Sequence, residues 1–168
     1  MKYNKLSIFD FDNTLFFTHQ ESNGKREWFN KTNNYWPHKS WWDQADSLNY
    51  KILDIKPNQH VIKKLKEAFK DNHTFTILLT GRPVGTSSKM EKAIKKLLKY
   101  HNVNQFNLIL LNKLNYLDLD FKLKKLDQLK QKLKCEKWEF YDDKYSYAST
   151  FVSWGIKNIG INFKYFLV

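Results

Sequence analysis

Cysteine, arginine and long apolar runs are scarce in this sequence. The single cysteine, Cys135, excludes an internal disulfide framework and cannot by itself build a cysteine-based zinc site, so we interpret it as a small buried apolar residue. No apolar run approaches the roughly 18 to 20 residues that a membrane helix needs. The opening MKYNKLSIFDFDNTLFF reaches an acidic pair too early for a signal peptide. We therefore expect a soluble, cytoplasmic protein without a membrane partner.

The chain is strongly basic, with 29 Lys and Arg against 17 Asp and Glu and a formal net charge of +12. Only Arg26 and Arg82 are arginines, so lysine supplies nearly all of the excess. The charge either attracts a phosphate backbone or another polyanion, or reflects the composition of an AT-rich genome. The lysine-rich segments 63–66, 92–96 and 122–134 are either solvated helix faces or, if they face an active site, guides for a polyanion.

Length and composition predict one folded domain. At 168 residues the chain has room for one α/β core but not for two ordinary domains. Its 42% hydrophobic and 17% aromatic content excludes a disordered chain. We predict a single domain over residues 1–168, with a small insertion at about 19–56 that holds four of the six tryptophans. No period is sustained in this insertion, where we expect irregular structure and one short helix.

Short apolar segments alternate with amphipathic helical patterns along the rest of the chain. The predicted strands are 5–11, 74–80, 106–111, 137–141 and 157–161. The predicted helices are 57–71, with Pro57 in its first turn, 87–100, 120–134 and 145–154. This alternation predicts a doubly wound α/β fold with a mainly parallel, Rossmann-like sheet. Ligands of such sheets bind at the carboxyl ends of the strands.

Carboxylates follow the ends of two predicted strands. Asp10 and Asp12 follow the first, and Asp142 and Asp143 follow the fourth. Residues two apart on an extended strand project to the same side, so Asp10 and Asp12 should both face the cleft and repel each other unless a cation joins them. Hard oxygen ligands suit Mg²⁺, and the sequence holds no His or Cys cluster for a softer metal. We therefore predict a magnesium site.

The segments FDFDNTLF, ILLTGR, a downstream lysine and YDD resemble, in this order, the four motifs of the haloacid dehalogenase superfamily. They are spread over nearly the whole chain. The longer segments FDFDNTLFFTHQ, WPHKSWW, LLTGR, DFKLKK and YDDKYSYASTF are similar to the branch called Swiss Army Knife RNA repair-like. The resemblance implies a phosphatase module, and no ligase or kinase segment is expected within these residues.

By that resemblance, Asp10 is the nucleophile that forms an aspartyl-phosphate and also ligates Mg²⁺. Asp12 protonates the leaving oxygen and then activates water, while its backbone carbonyl binds the metal. The motif lysine neutralises Asp10 and the phosphoryl oxygens, and we assign it to Lys122 over Lys124 and Lys125.

The resemblance also assigns the second and fourth motifs. Thr80 holds the transferring phosphoryl oxygens through its hydroxyl and nearby amides, and Gly81 permits close backbone approach. Arg82 is expected to bind substrate phosphate with its planar fork. Asp142 is favoured as the direct metal ligand with Asp143 positioning a metal water, although the order is open.

The tryptophans of the insertion allow two interpretations. Trp41 and Trp42, with Trp36, either form a platform on which a base stacks or attach the insertion to the core. His19 either contacts phosphate at the mouth of the site or is a surface residue.

The expected function is a Mg²⁺-dependent phosphomonoesterase acting on a nucleic-acid end, RNA or DNA, or on a nucleotide phosphate. The insertion is too short for a large cap, and an open cleft favours a polymer end or a protein. The alternatives are a phosphatase of a small metabolite or phosphoprotein, and a non-catalytic module that binds nucleic acid or protein. The pattern predicts neither end polarity nor oligomeric state.

Overall fold

The computed structural model describes residues 3–84, 88–113 and 116–168. The strands are β1 (Lys5–Phe9), β2 (Phe16–Phe17), β3 (Lys56–Pro57), β4 (Thr74–Pro83), β5 (Leu108–Asn112), β6 (Lys137–Asp142) and β7 (Phe163–Leu167). The helices are α1 (Glu21–Thr32), α2 (Gln59–Lys70), α3 (Lys89–Tyr100), α4 (Asp118–Lys132) and α5 (Tyr145–Asn158). Two 3₁₀ turns cover Ala45–Leu48 and Gly160–Asn162.

The main sheet has five parallel strands in the order β5-β4-β1-β6-β7. The chain leaves the central strand β1 toward β4 and β5, then returns to the other side of β1 with β6 and β7. This reversal is the topological switch point, and a binding crevice forms there beyond the carboxyl ends of the strands. The predicted doubly wound α/β fold is confirmed.

Alternating side chains of the central strand β1 pack into two hydrophobic cores, one on each face of the sheet. On one face, Leu6 and Ile8 pack with residues of α4 and α5, such as Leu126 and Phe151. On the other face, Phe9 packs with residues of α2 and α3. Because successive strand side chains point to opposite faces, a strand covered on both sides needs apolar residues on both, as Leu6, Ile8 and Phe9 provide in β1, where the buried Ser7 donates to Glu139.

The helices on the second face follow their apolar spacing. Buried residues in α2 are Val61, Ile62, Leu65 and Ala68, and those in α3 are Met90, Ile94, Leu97 and Leu98. Lysines occupy the outer faces of both helices. The first residue of the predicted helix 87–100 lies outside the described residues. Helix α2 begins at Gln59 and not at Pro57, because Pro57 pairs with Phe16 in a two-stranded antiparallel sheet.

The last predicted strand, 157–161, is wrong. Helix α5 continues to Asn158, a 3₁₀ turn follows, and the strand is β7, which pairs with β6 from Trp138↔Phe163 onward. A crossover helix must run the full height of the sheet before the next parallel strand begins. The 14 residues of α5 span about 21 Å, which matches about 20 Å for the six-residue β6.

The insertion is more regular than predicted. Its helix α1 has 12 residues, and a buried Gly24 lets this helix approach the indole of Trp41, where an added Cβ would overlap the ring. Trp36 packs against Trp41 with ring centroids 4.5 Å apart. The division into a single domain with an insertion at 19–56 stays a prediction. Among the described residues, no helix is long and apolar enough to cross a membrane.

Candidate active site

A cleft of about 340 Å³ opens at the carboxyl ends of β1, β4 and β6. Most predicted site residues line it: Asp10, Asp12, Trp42, Thr80, Gly81, Arg82, Lys122 and Asp143. The fold brings these groups together although they lie in five separate segments of the sequence. Asp142 lies behind the cleft wall, fully buried, and Trp41 does not line the cleft.

Three carboxylates at this edge are close enough to share one cation. Asp10, Asp142 and Asp143 each present an oxygen, and these oxygens lie within 4.8 Å of one another. Oδ1 of Asp143 is buried without a hydrogen-bond partner in the part of the chain that the structure describes. An all-carboxylate donor set and a buried oxygen lacking a partner fit a hard cation such as Mg²⁺. The carboxylate of Asp12 is not part of this group.

Lys122 is the cation at the centre of the acidic cluster. Its Nζ lies 2.8 Å from Asp142 Oδ2, 3.2 Å from Asp10 Oδ1 and 3.5 Å from Asp118 Oδ2, and the side chain is 1% exposed. Burial by itself lowers the pKa of Lys122, but the charges of Asp10, Asp142 and Asp118 together outweigh it and raise the pKa well above its ordinary value. Lys122 therefore stays charged.

The neighbouring lysines point elsewhere. Lys124 reaches the hydroxyl of Tyr116, and Lys125 reaches Gln128. Helical spacing explains the direction of Lys124, because residues two positions apart do not face each other on a helix.

The site carries more negative than positive charge. Burial is the main cause that raises the pKa of Asp10 well above its ordinary value; Lys122 opposes this, and the charges of Asp142, Asp12 and Asp118 add to it. Burial likewise raises the pKa of Asp143. A divalent cation held among these carboxylates would favour their ionised forms, which is the state that a nucleophilic Asp10 needs.

Arg82 and Asp12 form a partly buried, two-pronged ion pair. Arg82 Nε donates to Asp12 Oδ1 and Oδ2 at 3.0 and 2.8 Å, and Nη2 donates to Oδ1 at 2.7 Å. Thr18 Oγ1 also donates to Asp12 Oδ1 at 2.7 Å, and Arg82 Nη1 donates to Ser47 Oγ at 2.8 Å. Here the guanidinium, expected to bind substrate phosphate, holds Asp12 in place and links β4 to the insertion.

Thr80 and Gly81 form a floor of the cleft where β4 becomes irregular. The pairing of β4 with β5 shifts register between Thr80 and Pro83, and Thr80 Oγ1 accepts from the backbone N–H of Arg82 at 3.2 Å. A Cβ at Gly81 would overlap the carboxylate of Asp118. A larger residue here would therefore displace the side chain of Asp118 at the beginning of α4, the helix that carries Lys122.

The two adjacent tryptophans have different environments. Trp42 is at the cleft and covers Arg82, whose Cζ lies 5.2 Å from the ring centroid. Trp41 is 1% exposed, belongs to the core and donates from Nε1 to the carbonyl of His19 at 3.1 Å. The expectation that Trp41 offers a stacking surface is corrected, because its ring is enclosed by the insertion. His19 pairs with Glu27 at 2.8 Å and does not line the cleft.

Asp118 is the main cleft residue that the sequence patterns did not reveal. It is the first residue of α4, one helical turn before Lys122, and its Oδ2 lies 3.5 Å from Lys122 Nζ. Its Oδ1 is buried without a partner among the described residues. The signal was the i, i+4 spacing of Asp118 and Lys122, which places both side chains on one helix face. Gln20, Asn13 and Lys144 also line the cleft.

A parallel doubly wound sheet with a buried lysine among carboxylates at its switch point defines a domain of the haloacid dehalogenase type. Residues 7–159 match the family described as HAD domain family 1 in Swiss Army Knife RNA repair proteins. The chain belongs to this family. Membership suggests a phosphatase-type hydrolase related to RNA repair.

Two similar proteins extend this comparison. An uncharacterized protein of Saccharomyces cerevisiae, YMR265C, is 31% identical over 170 residues, covering 89% of this chain and 36% of the yeast protein. The chain thus spans about a third of that relative. A solved structure of a Pnkp1/Rnl/Hen1 complex contains a chain that matches 99% of this one and 45% of its own length, with TM-score 0.58 and 18% identity. The latter similarity supports the fold.

Proposed function

We propose that the protein is a Mg²⁺-dependent phosphomonoesterase that acts on a nucleic-acid end or a nucleotide phosphate through an aspartyl-phosphate on Asp10. The observation that carries this proposal is the position of Asp10 at the switch-point cleft, 3.2 Å from Lys122 Nζ and grouped with Asp142 and Asp143. Family membership supports the same reaction class.

In the first chemical step, a carboxylate oxygen of Asp10 attacks phosphorus, and the bond from phosphorus to the ester oxygen breaks. The leaving oxygen takes a proton from Asp12. In the second step, Asp12 accepts a proton from water as the water oxygen attacks phosphorus, which releases phosphate and regenerates Asp10. For both transfers, Asp12 would leave its ion pair with Arg82 and face the phosphoryl group, and it would enter the first step as the protonated carboxylic acid and the second as the carboxylate.

The other residues stabilise charge. Asp10, Asp142 and Asp143, with the backbone carbonyl of Asp12, would hold Mg²⁺, which when bound neutralises phosphoryl oxygens. Lys122 offers a permanent positive charge beside the Asp10 oxygen. Thr80 Oγ1 and nearby amides would donate to the transferring phosphoryl group, and such preorganised donors contribute most where charge develops.

A nucleic-acid end is supported by three features. Trp42 leaves an aromatic surface at the edge of an open cleft, on which a terminal base can stack. The net charge of +12 favours encounter with a polyanion. The matched family is described from RNA repair proteins, and the similar solved structure is titled as a Pnkp1/Rnl/Hen1 complex.

The test measures phosphate release from 3′- and 5′-phosphorylated RNA and DNA oligonucleotides and from an aryl phosphate, with Mg²⁺ or a chelator. Asp10→Asn should abolish release, while Asp54→Asn, an exposed control paired with Lys56, should retain it. Preferential release from one oligonucleotide end supports the proposed substrate. Full activity of Asp10→Asn contradicts the mechanism, and release from the aryl phosphate alone favours a metabolite phosphatase. No release from any substrate favours a binding module.

A further inference from the structure

A second concave surface lies beside the cleft, between residues 45–51 of the insertion and α3. We call it the lysine groove; it has a volume of about 600 Å³. Four lysines line it: Lys51, Lys89, Lys92 and Lys96. Tyr50 adds an aromatic wall, stacked on Tyr100 at a centroid distance of 4.4 Å. Asp46 is the acidic residue among the described lining groups.

The positive charge of this groove is not neutralised by the described protein. None of its four lysines forms a salt bridge with a residue that the structure describes, and all four are exposed. By contrast, Lys95 on the same helix pairs with Glu91 at 2.6 Å. Asp46 lies 2.8 Å from His38 Nε2. The groove is therefore a site of concentrated positive potential.

The lysine groove and the cleft lie on either side of one shared wall. Arg82, which lines the cleft, donates to Ser47 Oγ at 2.8 Å and lies 3.9 Å from Met90 Sδ. Ser47 and Met90 are each adjacent in sequence to groove residues, Asp46 and Lys89 respectively. The two surfaces are therefore separated by one layer of buried side chains, which includes Arg82, Ser47 and Met90.

We propose that the lysine groove binds the phosphodiester backbone of a single-stranded nucleic acid whose terminal phosphate lies in the cleft. This inference rests on the proposed function and specifies its substrate as a polynucleotide. Lys89, Lys92 and Lys96 are spaced by three and four residues, so they share one face of α3. They span about 10 Å along the helix axis, so the three side chains are separated far enough to contact different phosphates of one strand.

The test uses the triple variant Lys89→Gln, Lys92→Gln and Lys96→Gln. Its matched control replaces three exposed lysines between the end of α4 and the start of β6, Lys132→Gln, Lys134→Gln and Lys137→Gln, and removes the same charge. The groove variant should lose kcat/KM on the phosphorylated oligonucleotide at least tenfold at low salt, with unchanged kcat/KM on an aryl phosphate. The control should resemble the wild type on both substrates.

Salt dependence gives a second readout. Each backbone contact with a single strand contributes about 0.7 to the slope of log affinity against log salt, so three lost contacts should make the slope shallower by about 2. Between 50 and 200 mM salt, oligonucleotide affinity should then fall about 20-fold more in the wild type than in the groove variant. Parallel RNA and DNA strands show which backbone is preferred.

Binding of a labelled oligonucleotide to the Asp10→Asn protein separates this inference from the proposed function. Loss of binding on adding the groove substitutions, but not the control ones, supports the groove even if no substrate is hydrolysed. Equal losses in both triple variants, or none in either, overturn it. So does polyglutamate binding as tight as oligonucleotide binding, because the groove would then select charge and not a nucleic acid.

Discussion

Replacing Lys122 with methionine tests whether the buried lysine is the charge that holds the acidic cluster together. The substitution keeps the length and apolar stem of the side chain but leaves Asp10, Asp142 and Asp118 without the Nζ that now lies 2.8 to 3.5 Å from them. Removal of one partner from a buried ion pair typically costs about 3 to 5 kcal/mol. For a chain of this size, that loss lowers Tm by roughly 6 to 20 °C.

The assay is thermal unfolding in a chelator, with Lys124→Met as the control, because Lys124 is on the same helix and contacts the exposed Tyr116. Adding Mg²⁺ should raise Tm of Lys122→Met more than that of the wild type, since the uncompensated carboxylates bind a cation more strongly. Phosphatase activity should be lost. If both variants unfold at the same temperature in chelator, Lys122 does not stabilise the cluster and the electrostatic argument fails.

Three further predictions follow from single contacts. Arg82→Lys should lower kcat about tenfold to a hundredfold with little change in KM, because Asp12 loses its two-pronged partner; an unchanged kcat in steady-state kinetics would contradict this. Gly24→Ala should destabilise by about 1 to 3 kcal/mol in urea unfolding, since its Cβ overlaps Trp41, and a change below about 0.5 kcal/mol would refute that packing. Thr74→Val should cost about 1 kcal/mol at pH 7. The hydrogen bond from the Thr74 hydroxyl is the largest cause that lowers the pKa of Asp71, and the backbone hydrogen bond from His73 is the second. The stability that Thr74 contributes is therefore present above the ordinary pKa of 3.8 and is lost as pH falls below it. If Thr74→Val is still less stable than the wild type by the same amount at about pH 2.5, the assignment is contradicted.

Local patterns were sufficient where a side chain's role follows from its own strand or helix. The apolar run before Asp10 predicts a buried strand, and the end of that strand places the carboxylate at the sheet edge. The same reasoning located Thr80 and Asp142, because parallel strands end at one edge. The last strand was missed since its position depends on the length of α5 needed to cross the sheet, which a local pattern does not report.

Adjacent or similar residues could not be separated in this way. Trp41 and Trp42 are neighbours of the same type, yet Trp41 lies in the core against Gly24 and Trp42 lies at the cleft. Arg82 was assigned to substrate phosphate from its planar fork and its place beside Thr80, and that role stays a prediction, but its contact with Asp12, 70 residues away, was not foreseen. No periodicity carries information about such a pair.

The sequence alone determined the doubly wound α/β class, the family resemblance and the carboxylates at the strand ends, because each depends on hydrophobic period or on a short motif. Only the tertiary structure decided that Lys122 meets Asp10, Asp142 and Asp118, that Arg82 holds Asp12, and that the lysines of α3 face the insertion. These contacts depend on strand order and on the direction of each crossover. Sheet topology sets distances between residues that are remote in the chain, and side-chain burial then decides which charges must pair.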